Sequence, residues 1–288
     1  MSYDFKYLRP LPTHSPYPPY HTGPYIEEFF YSYYIKHKVE FNNTGKILIP
    51  IFWTNLYLSN FPNYIIQQYV DVLPTGKQYF TVSQFDDGIT QKLPDNTINF
   101  VAGGNMKGIP IPLICSPIPQ KYIKEHKRDI FCSFVGTYVD SEKYECRKNL
   151  YQKYYDDKDF YFTPLRHWER VVTEDKFIEF VTVTQRSLFT LCPRGYGLSS
   201  FRLYEAMQLG SIPVFVYDEE FFPFNEEVDW NDFCVLVHKS EINNLKHKLE
   251  SYSKADILTL QLNGKKIYNE YFTLERMCEN ILRILKQT

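Results

Sequence analysis

Residues 188–218 read LFTLCPRGYGLSSFRLYEAMQLGSIPVFVYD, and this segment decides the predicted fold class. Leu188–Cys192 and Ile212–Val216 are short apolar runs of the length typical of buried β-strands. Between them, Gly195 and Gly197 form a glycine loop whose backbone can approach a ligand closely, because glycine has no side chain. A helical stretch follows the loop. The segment therefore predicts a strand, a glycine loop, a helix and a second strand, which is the repeating unit of a parallel α/β sheet.

The helix after the glycine loop has signals at both ends. Ser199 or Ser200 can cap its start, because a serine hydroxyl accepts a hydrogen bond from a free N–H group of the first turn. Gly210 follows about Leu209, where a left-handed residue commonly ends a helix. A helix N-terminus next to glycines presents free N–H groups and the positive end of the helix dipole. These features predict an anion site.

Charged side chains surround the predicted anion site. Arg194 and Arg202 flank it, and the arginine fork matches the geometry of phosphate oxygens. Glu205 shares a helix face with Arg202, and its carboxylate can accept hydrogen bonds from the vicinal hydroxyls of a ribose. An ordinary surface ion pair, worth roughly a few tenths of a kcal/mol, is the alternative for these two residues. The pattern favours a nucleoside diphosphate held by Arg194, Gly195, Tyr196, Gly197, Ser199, Ser200, Arg202 and Glu205.

The same segment resembles the C-terminal half of the exostosin family of glycosyltransferases. That family carries the pattern C-x-R/S-G-x-G/x-x-S-x-R-L-x-E-A-x-x-x-G-x-I-P-V. The matching residues here are Cys192, Pro193, Gly195, Ser200, Arg202, Glu205, Ala206, Gly210, Ile212, Pro213 and Val214. The resemblance implies an α/β protein of the GT-B type, with two Rossmann-like domains facing a central cleft. It also implies inverting transfer of a sugar from a UDP-sugar, such as UDP-xylose, UDP-galactose or UDP-glucuronate, to a hydroxyl of an oligosaccharide or glycoprotein glycan.

A chain of 288 residues is long enough for two such domains. We expect residues 1–120 to form an acceptor-binding domain and residues 121–270 to bind the nucleotide sugar. Residues 271–288 are expected to form a helix that crosses back to the first domain. In the first domain, Lys46–Trp53 (KILIPIFW) is predicted to be a strand that resembles the family's "IPV-x-W" strand.

The predicted second domain contains further candidates for the donor site. Gly136 and Thr137 follow the apolar run Ile130–Val135, and a helix from about residue 141 carries Arg147. Family members often have a glycine loop with a later arginine at this place, so the resemblance implies a second diphosphate contact. An exposed helical arginine is the alternative. Thr163 follows a short aromatic strand and is expected to line the base pocket.

Three residues are candidates for the general base that inverting transfer needs to take the proton of the acceptor hydroxyl. Asp86 and Asp87 follow the predicted strand Gln78–Ser83, and ligands in open α/β sheets meet the carboxyl ends of strands. We favour Asp87 over Asp86, with His21 of the proline-rich N-terminal arm behind both. An Asx turn before Gly88 explains the two aspartates equally well.

Composition argues against several classes of partner and cofactor. The net charge is −2, so no general basic field attracts nucleic acid. The six cysteines show no metal-ligand spacing and are expected to be free thiols in a reducing compartment. Asp157-Lys158-Asp159 spells the D-x-D of metal-dependent transferases, but it lies in a polar turn and is interpreted as solvated charge. We therefore expect neither a metal nor another cofactor.

The N-terminal residues MSYDFKYLRPLPTHSPYPPY are polar and rich in proline. They resemble neither a signal peptide nor a membrane anchor, and no membrane span is expected. Animal and plant exostosins usually carry such an anchor. We therefore expect a soluble, cytoplasmic enzyme of a microbe or a large virus.

Two other functions stay open at this point. One alternative is an NAD-dependent oxidoreductase. A dinucleotide-binding fingerprint resembles the pattern of Gly195-x-Gly197 with Asp218 at the end of the next strand. However, the third glycine of that fingerprint is replaced by Ser200. The second alternative is a non-catalytic protein that binds carbohydrates or nucleotide sugars, since the identity of the base is uncertain.

Overall fold

Two separate parallel β-sheets organise the chain. The computed structural model describes residues 4–10, 24–104, 107–138, 144–165 and 172–288. His21, one of the candidate bases, lies outside the described residues. Short 3-10 turns occur at Phe5–Leu8, Gln120–Tyr122, Trp230–Asp232 and Lys239–Asn244.

The first sheet has four strands in the order β1-β2-β3-β4, all parallel. The strands are β1 Ile47–Leu48, β2 Tyr79–Ser83, β3 Thr97–Val101 and β4 Ile109–Pro110. The helices are α1 Ile26–Lys36, α2 Lys38–Asn42, α3 Trp53–Leu58 and α4 Asn63–Asp71. All five residues of β2 are buried, as expected for a strand covered on both faces.

The prediction of a strand over Lys46–Trp53 is wrong for most of its length. Strand β1 consists of Ile47 and Leu48, the Ile49 N–H still donates to the Phe80 carbonyl of β2 at 2.9 Å, and helix α3 begins at Trp53. Pro50 has no N–H group to donate to a neighbouring strand, so it is a poor residue for continuing the ladder.

The second sheet has five parallel strands in the order β6-β5-β7-β8-β9. The strands are β5 Ile130–Thr137, β6 Phe160–Leu165, β7 Ser187–Pro193, β8 Ile212–Tyr217 and β9 Val235–His238. The helices are α5 Glu145–Tyr154, α6 Glu174–Arg186, α7 Phe201–Gln208, α8 Leu245–Glu250 and α9 Lys254–Tyr271. The strand order reverses between β5 and β7, so the carboxyl ends of these two strands form a topological switch point.

Each sheet is layered with helices, and the predicted GT-B-type fold with two Rossmann-like units is confirmed. The last helix, α10 Leu274–Gln287, contacts α1, and the Lys46 ammonium donates to the Leu285 carbonyl at 2.8 Å. One buried apolar cluster includes Phe80 of the first sheet, Phe215 of the second and Ile281 of α10. The domain boundaries at residues 120 and 270 remain predictions.

Some features that the sequence singled out lie away from the switch point. The Lys246 ammonium contacts the carboxylates of Asp157 at 2.9 Å and Asp159 at 2.6 Å, so the D-x-D aspartates share an ammonium partner. All six cysteines are free thiols, and five of them are buried. No helix within the described ranges is long and apolar enough to cross a membrane.

Candidate functional site

The structure brings most of the predicted donor-site residues to the switch point of the second sheet. Gly136 and Thr137 are the last residues of β5, and Arg194–Gly197 follow the end of β7. Arg147 reaches the same place from α5, and Arg202 from the first turn of α7. Because open α/β sheets bind ligands at such switch points, this cluster is the candidate site.

The first turn of α7 differs from its predicted form. Ser200 is the N-cap residue, with φ −150° and ψ 131°, but its hydroxyl forms no capping hydrogen bond. The predicted serine side-chain cap is therefore wrong. The Gly195 N–H donates to the Ser199 carbonyl at 3.0 Å, which folds the glycine loop back onto the start of the helix. Gly210 has φ +73° and follows α7 in the left-handed conformation predicted for it.

Arg194 holds the glycine loop in shape. Its side chain is 10% exposed, and its guanidinium pairs with the Asp218 carboxylate at 2.7 Å. The same guanidinium donates to the carbonyls of Tyr196 at 2.8 Å and Gly197 at 3.2 Å. These contacts engage Nε and both terminal nitrogens, so the structure gives Arg194 a positioning role. They also place Asp218 in an ion pair, which weakens its case as the ribose ligand of a dinucleotide.

Arg147 links the two strands at the switch point. Its Nε donates to the Arg194 carbonyl at 3.1 Å, and its Nη1 donates to the Thr137 carbonyl at 3.0 Å. A Cβ added to Gly195 would lie 3.3 Å from Nη2 of Arg147, so glycine leaves the room that the guanidinium occupies. Arg147 thus keeps the carboxyl ends of β5 and β7 together and carries positive charge to the glycine loop.

Arg202 has a buried donor that is without a partner among the described residues. Its guanidinium lies 4.0 Å from the centre of the Phe180 ring, and its Nε is 3.5 Å from Glu205 Oε2. A Cβ on Gly136 would lie 3.5 Å from Nη2. Nη1 is buried and makes no hydrogen bond to any residue that the structure describes. Leaving a charged donor unpaired costs roughly 1–3 kcal/mol or more, so the geometry favours an anion at this place.

Glu205 lies deeper than the sequence suggested. The residue is 1% exposed, and its carboxylate forms an ion pair with Arg202. Burial raises the pKa of the Cys115 thiol, and the negative charge of Glu205 raises it further, so the carboxylate lies close to Cys115. Glu205 is the buried counter-ion of Arg202 in this arrangement, and its predicted contact with a ribose stays a prediction.

The glycine loop also contacts the first domain. The Tyr196 hydroxyl donates to Asp87 Oδ2 at 3.0 Å, and the Leu198 N–H donates to the Gly103 carbonyl at 2.7 Å. A Cβ on Gly197 would lie 2.3 Å from that carbonyl oxygen and 2.7 Å from Asp86 Oδ1. The sequence predicted that the missing side chain of Gly197 lets a ligand approach the loop. The structure shows that the backbone of the first domain occupies this space.

Replacing Gly197 by alanine is therefore expected to destabilise the folded protein by roughly 1–3 kcal/mol, because the backbone at Gly103 cannot move aside easily. Gly264→Ala is the matched control, since a Cβ there meets no heavy atom within 4 Å. Alanine in that helix should stabilise the protein by up to about 1 kcal/mol. Urea unfolding of both variants measures the difference, and equal stability of Gly197→Ala and wild type would contradict the packing argument.

The Thr163 hydroxyl is already engaged in a hydrogen bond to helix α6. The residue lies within β6 rather than after it, and its Oγ1 donates to Glu179 Oε1 on α6 at 3.2 Å. Its place in the base pocket stays a prediction.

Sequence reasoning missed Glu27, which is 4% exposed at the start of α1. Its Oε1 accepts hydrogen bonds from the Thr54 hydroxyl at 2.6 Å and the Gln84 N–H at 3.0 Å. The Gln84 side chain in turn accepts from the Ile26 N–H at 2.9 Å. Burial raises the pKa of Glu27. These bonds fasten Gln84, which follows the last residue of β2 and lies three residues before Asp87. The sequence signal for this contact was a glutamate beside the apolar positions of α1.

Most of the chain matches a model of a known protein family. An Exostosin GT47 domain model matches residues 69–252, which include the switch point and most of both sheets. The chain belongs to the exostosin GT47 family. The match begins after α1 and ends before α9, so the first and last elements of the fold lie outside it.

Relatives of the family match over part of their length. An exostosin-1 homolog of Caenorhabditis elegans is 30% identical over 108 residues, which cover 37% of this chain and 28% of that protein. A probable glucuronosyltransferase of Oryza sativa subsp. japonica is 29% identical over 155 residues, covering 51% of this chain and 33% of that protein. The matched segments therefore span no more than about a third of either relative.

Solved structures resemble the chain more distantly. A sucrose-phosphate synthase from Thermosynechococcus elongatus has 12% identity and a TM-score of 0.44, with 91% of this chain and 76% of that chain covered. The pneumococcal O-GlcNAc transferase GtfA in complex with UDP and GlcNAc has 9% identity and a TM-score of 0.35, covering 72% and 45%.

Proposed function

We propose that this protein is an inverting glycosyltransferase that moves a sugar from a UDP-sugar to a hydroxyl of a glycan acceptor. The observation that carries the proposal is the buried Nη1 of Arg202 at the switch point between β5 and β7, which makes no hydrogen bond to a described residue. Membership of the exostosin GT47 family supports a sugar nucleotide as the anion. The uridine base and the glycan acceptor are inferred from the family resemblance.

The roles of the donor-site residues follow from their contacts. Arg202 donates to the diphosphate, together with N–H groups at the start of α7 around Ser199 and Ser200. Arg147 adds positive charge beside Gly195, and Arg194 keeps the loop in place through Asp218. These groups offset the charge that develops on the leaving diphosphate.

The acceptor reacts from the side of the first domain. Its hydroxyl oxygen attacks the anomeric carbon and forms the new glycosidic bond, while the bond from that carbon to the diphosphate oxygen breaks. The bonding electron pair leaves with UDP, and the hydroxyl proton passes to the carboxylate of Asp87. The Tyr196 hydroxyl, 3.0 Å from Asp87 Oδ2, orients this base and links it to the donor loop.

Ligand-dependent thermal stability tests the proposal. Unfolding midpoints are measured with UDP, GDP and NAD, each with and without EDTA. We expect a UDP-selective rise that persists in EDTA, since a ligand that binds only the folded state adds about 2.7 kcal/mol at roughly 100 times its Kd. A rise with NAD alone would favour the oxidoreductase alternative. No response to UDP would remove the transferase proposal.

A further inference from the structure

A cavity of about 410 Å³ lies between the two domains, beside the glycine loop. Arg194 and Leu198 of the loop form part of its wall. Lys107 lines it from the first domain, and Glu219 and Glu220 line it from the second, just after β8. Arg202 lies in the first turn of α7, the helix that begins after the same glycine loop.

The floor of the cavity is a tight apolar contact between the domains. Gly104 has φ +88°, and a Cβ there would lie 2.8 Å from the Phe221 ring and 2.9 Å from Leu198 Cβ. Val101, Leu198 and Phe221 form a small buried cluster at the same place. An apolar floor with an aromatic ring beneath charged walls suits a sugar, which has apolar C–H groups and a rim of hydroxyls.

The charges on the walls do not balance. The charge of Arg194 is offset by Asp218 at 2.7 Å, outside the lining itself. The other charged residues of the described lining are Lys107, Glu219 and Glu220. The part of the lining that the structure describes therefore carries a net negative charge. Carboxylates accept hydrogen bonds from sugar hydroxyls, but they repel another carboxylate.

We propose that this cavity holds the transferred sugar and selects a neutral sugar over a uronic acid. The inference rests on the proposed function, because it requires a sugar linked to a diphosphate that is bound beside the glycine loop. Glu219 and Glu220 accept hydrogen bonds from the sugar hydroxyls, and Lys107 donates to the opposite side of the ring. The carboxylate of a uronic acid in the same position is repelled by the carboxylates of Glu219 and Glu220.

UDP-glucose and UDP-glucuronate form a matched pair of probes, because they differ only in the hydroxymethyl or carboxylate group on the sugar. Their affinities and that of UDP are measured by isothermal titration with the full chain. We expect UDP-glucose to bind about tenfold more tightly than UDP-glucuronate. The double variant Glu219→Gln, Glu220→Gln should narrow that ratio to about twofold, because it removes the repulsion. Glu226→Gln, at an exposed glutamate of the following loop, should leave the ratio unchanged.

The possible results separate this inference from the proposed function. Binding of UDP with equal or tighter binding of UDP-glucuronate in the wild type would overturn the selection of a neutral sugar and leave the transferase proposal intact. A double variant that changes the KM for the acceptor, but not the ratio of the two donors, would overturn the assignment of the cavity to the transferred sugar. Failure of all three nucleotides to bind would overturn both proposals.

Discussion

Arg202→Ala is expected to weaken UDP binding by about 100-fold, because a charge-assisted hydrogen bond to phosphate in a buried site is among the strongest contacts a side chain makes. Nη1 of Arg202 is the donor that the described part of the site leaves without a partner. Arg194 and Arg147 already donate to main-chain carbonyls, so neither should replace the lost contact in full.

Isothermal titration with UDP measures this loss. Arg186→Ala is the matched control, since Arg186 is an exposed arginine of the same domain that pairs with Asp129 at 2.7 Å, and its removal should leave affinity unchanged. Arg202→Ala also leaves the Glu205 carboxylate without its positive neighbour, so folding is checked by circular dichroism. Arg202→Lys keeps the charge but not the fork, and about tenfold weaker binding is expected. Wild-type affinity in both folded variants would place the diphosphate elsewhere.

Asp87→Asn is expected to lower the transfer rate by about 10³, which lies within the range for removal of a general base, while UDP affinity stays the same. Asparagine has nearly the same shape and can still accept a hydrogen bond from the Tyr196 hydroxyl, so the loop should keep its position. The carboxylate that takes the proton is lost, and the effect should appear in kcat rather than in donor binding.

Two companion variants locate the base. Asp86→Asn tests the neighbouring carboxylate, which lies against Gly197. Asp95→Asn, at an exposed aspartate of the same domain, is the control for a general loss of charge. Transfer is followed by release of UDP with a panel of glycan acceptors. If Asp87→Asn keeps full transfer activity and Asp86→Asn loses it, Asp86 is the general base. If both variants keep full activity, neither aspartate is the base.

Much of the second domain was predictable from local pattern. The apolar runs at Leu188–Cys192 and Ile212–Val216 are strands, and the helix between them ends before a left-handed glycine. These predictions are correct because strand burial and helix ends depend on neighbouring residues in the chain. Two predictions are wrong: the strand over Lys46–Trp53 and the serine side-chain cap. An apolar run permits a strand without requiring one, and a serine permits a cap without requiring one.

The sequence by itself determined the two α/β units, the family and the group of residues that meet at the switch point. Only the tertiary structure decided how each of them is used. Arg194 and Arg202 look alike in sequence, yet Arg194 is engaged by Asp218, 24 residues away, while a buried donor of Arg202 has no partner in the part of the chain that the structure describes. Asp87 meets Tyr196 across 109 residues. The physical reason is that a side chain's free donors depend on which distant groups the fold brings within about 3 Å, and local sequence pattern does not contain those distances.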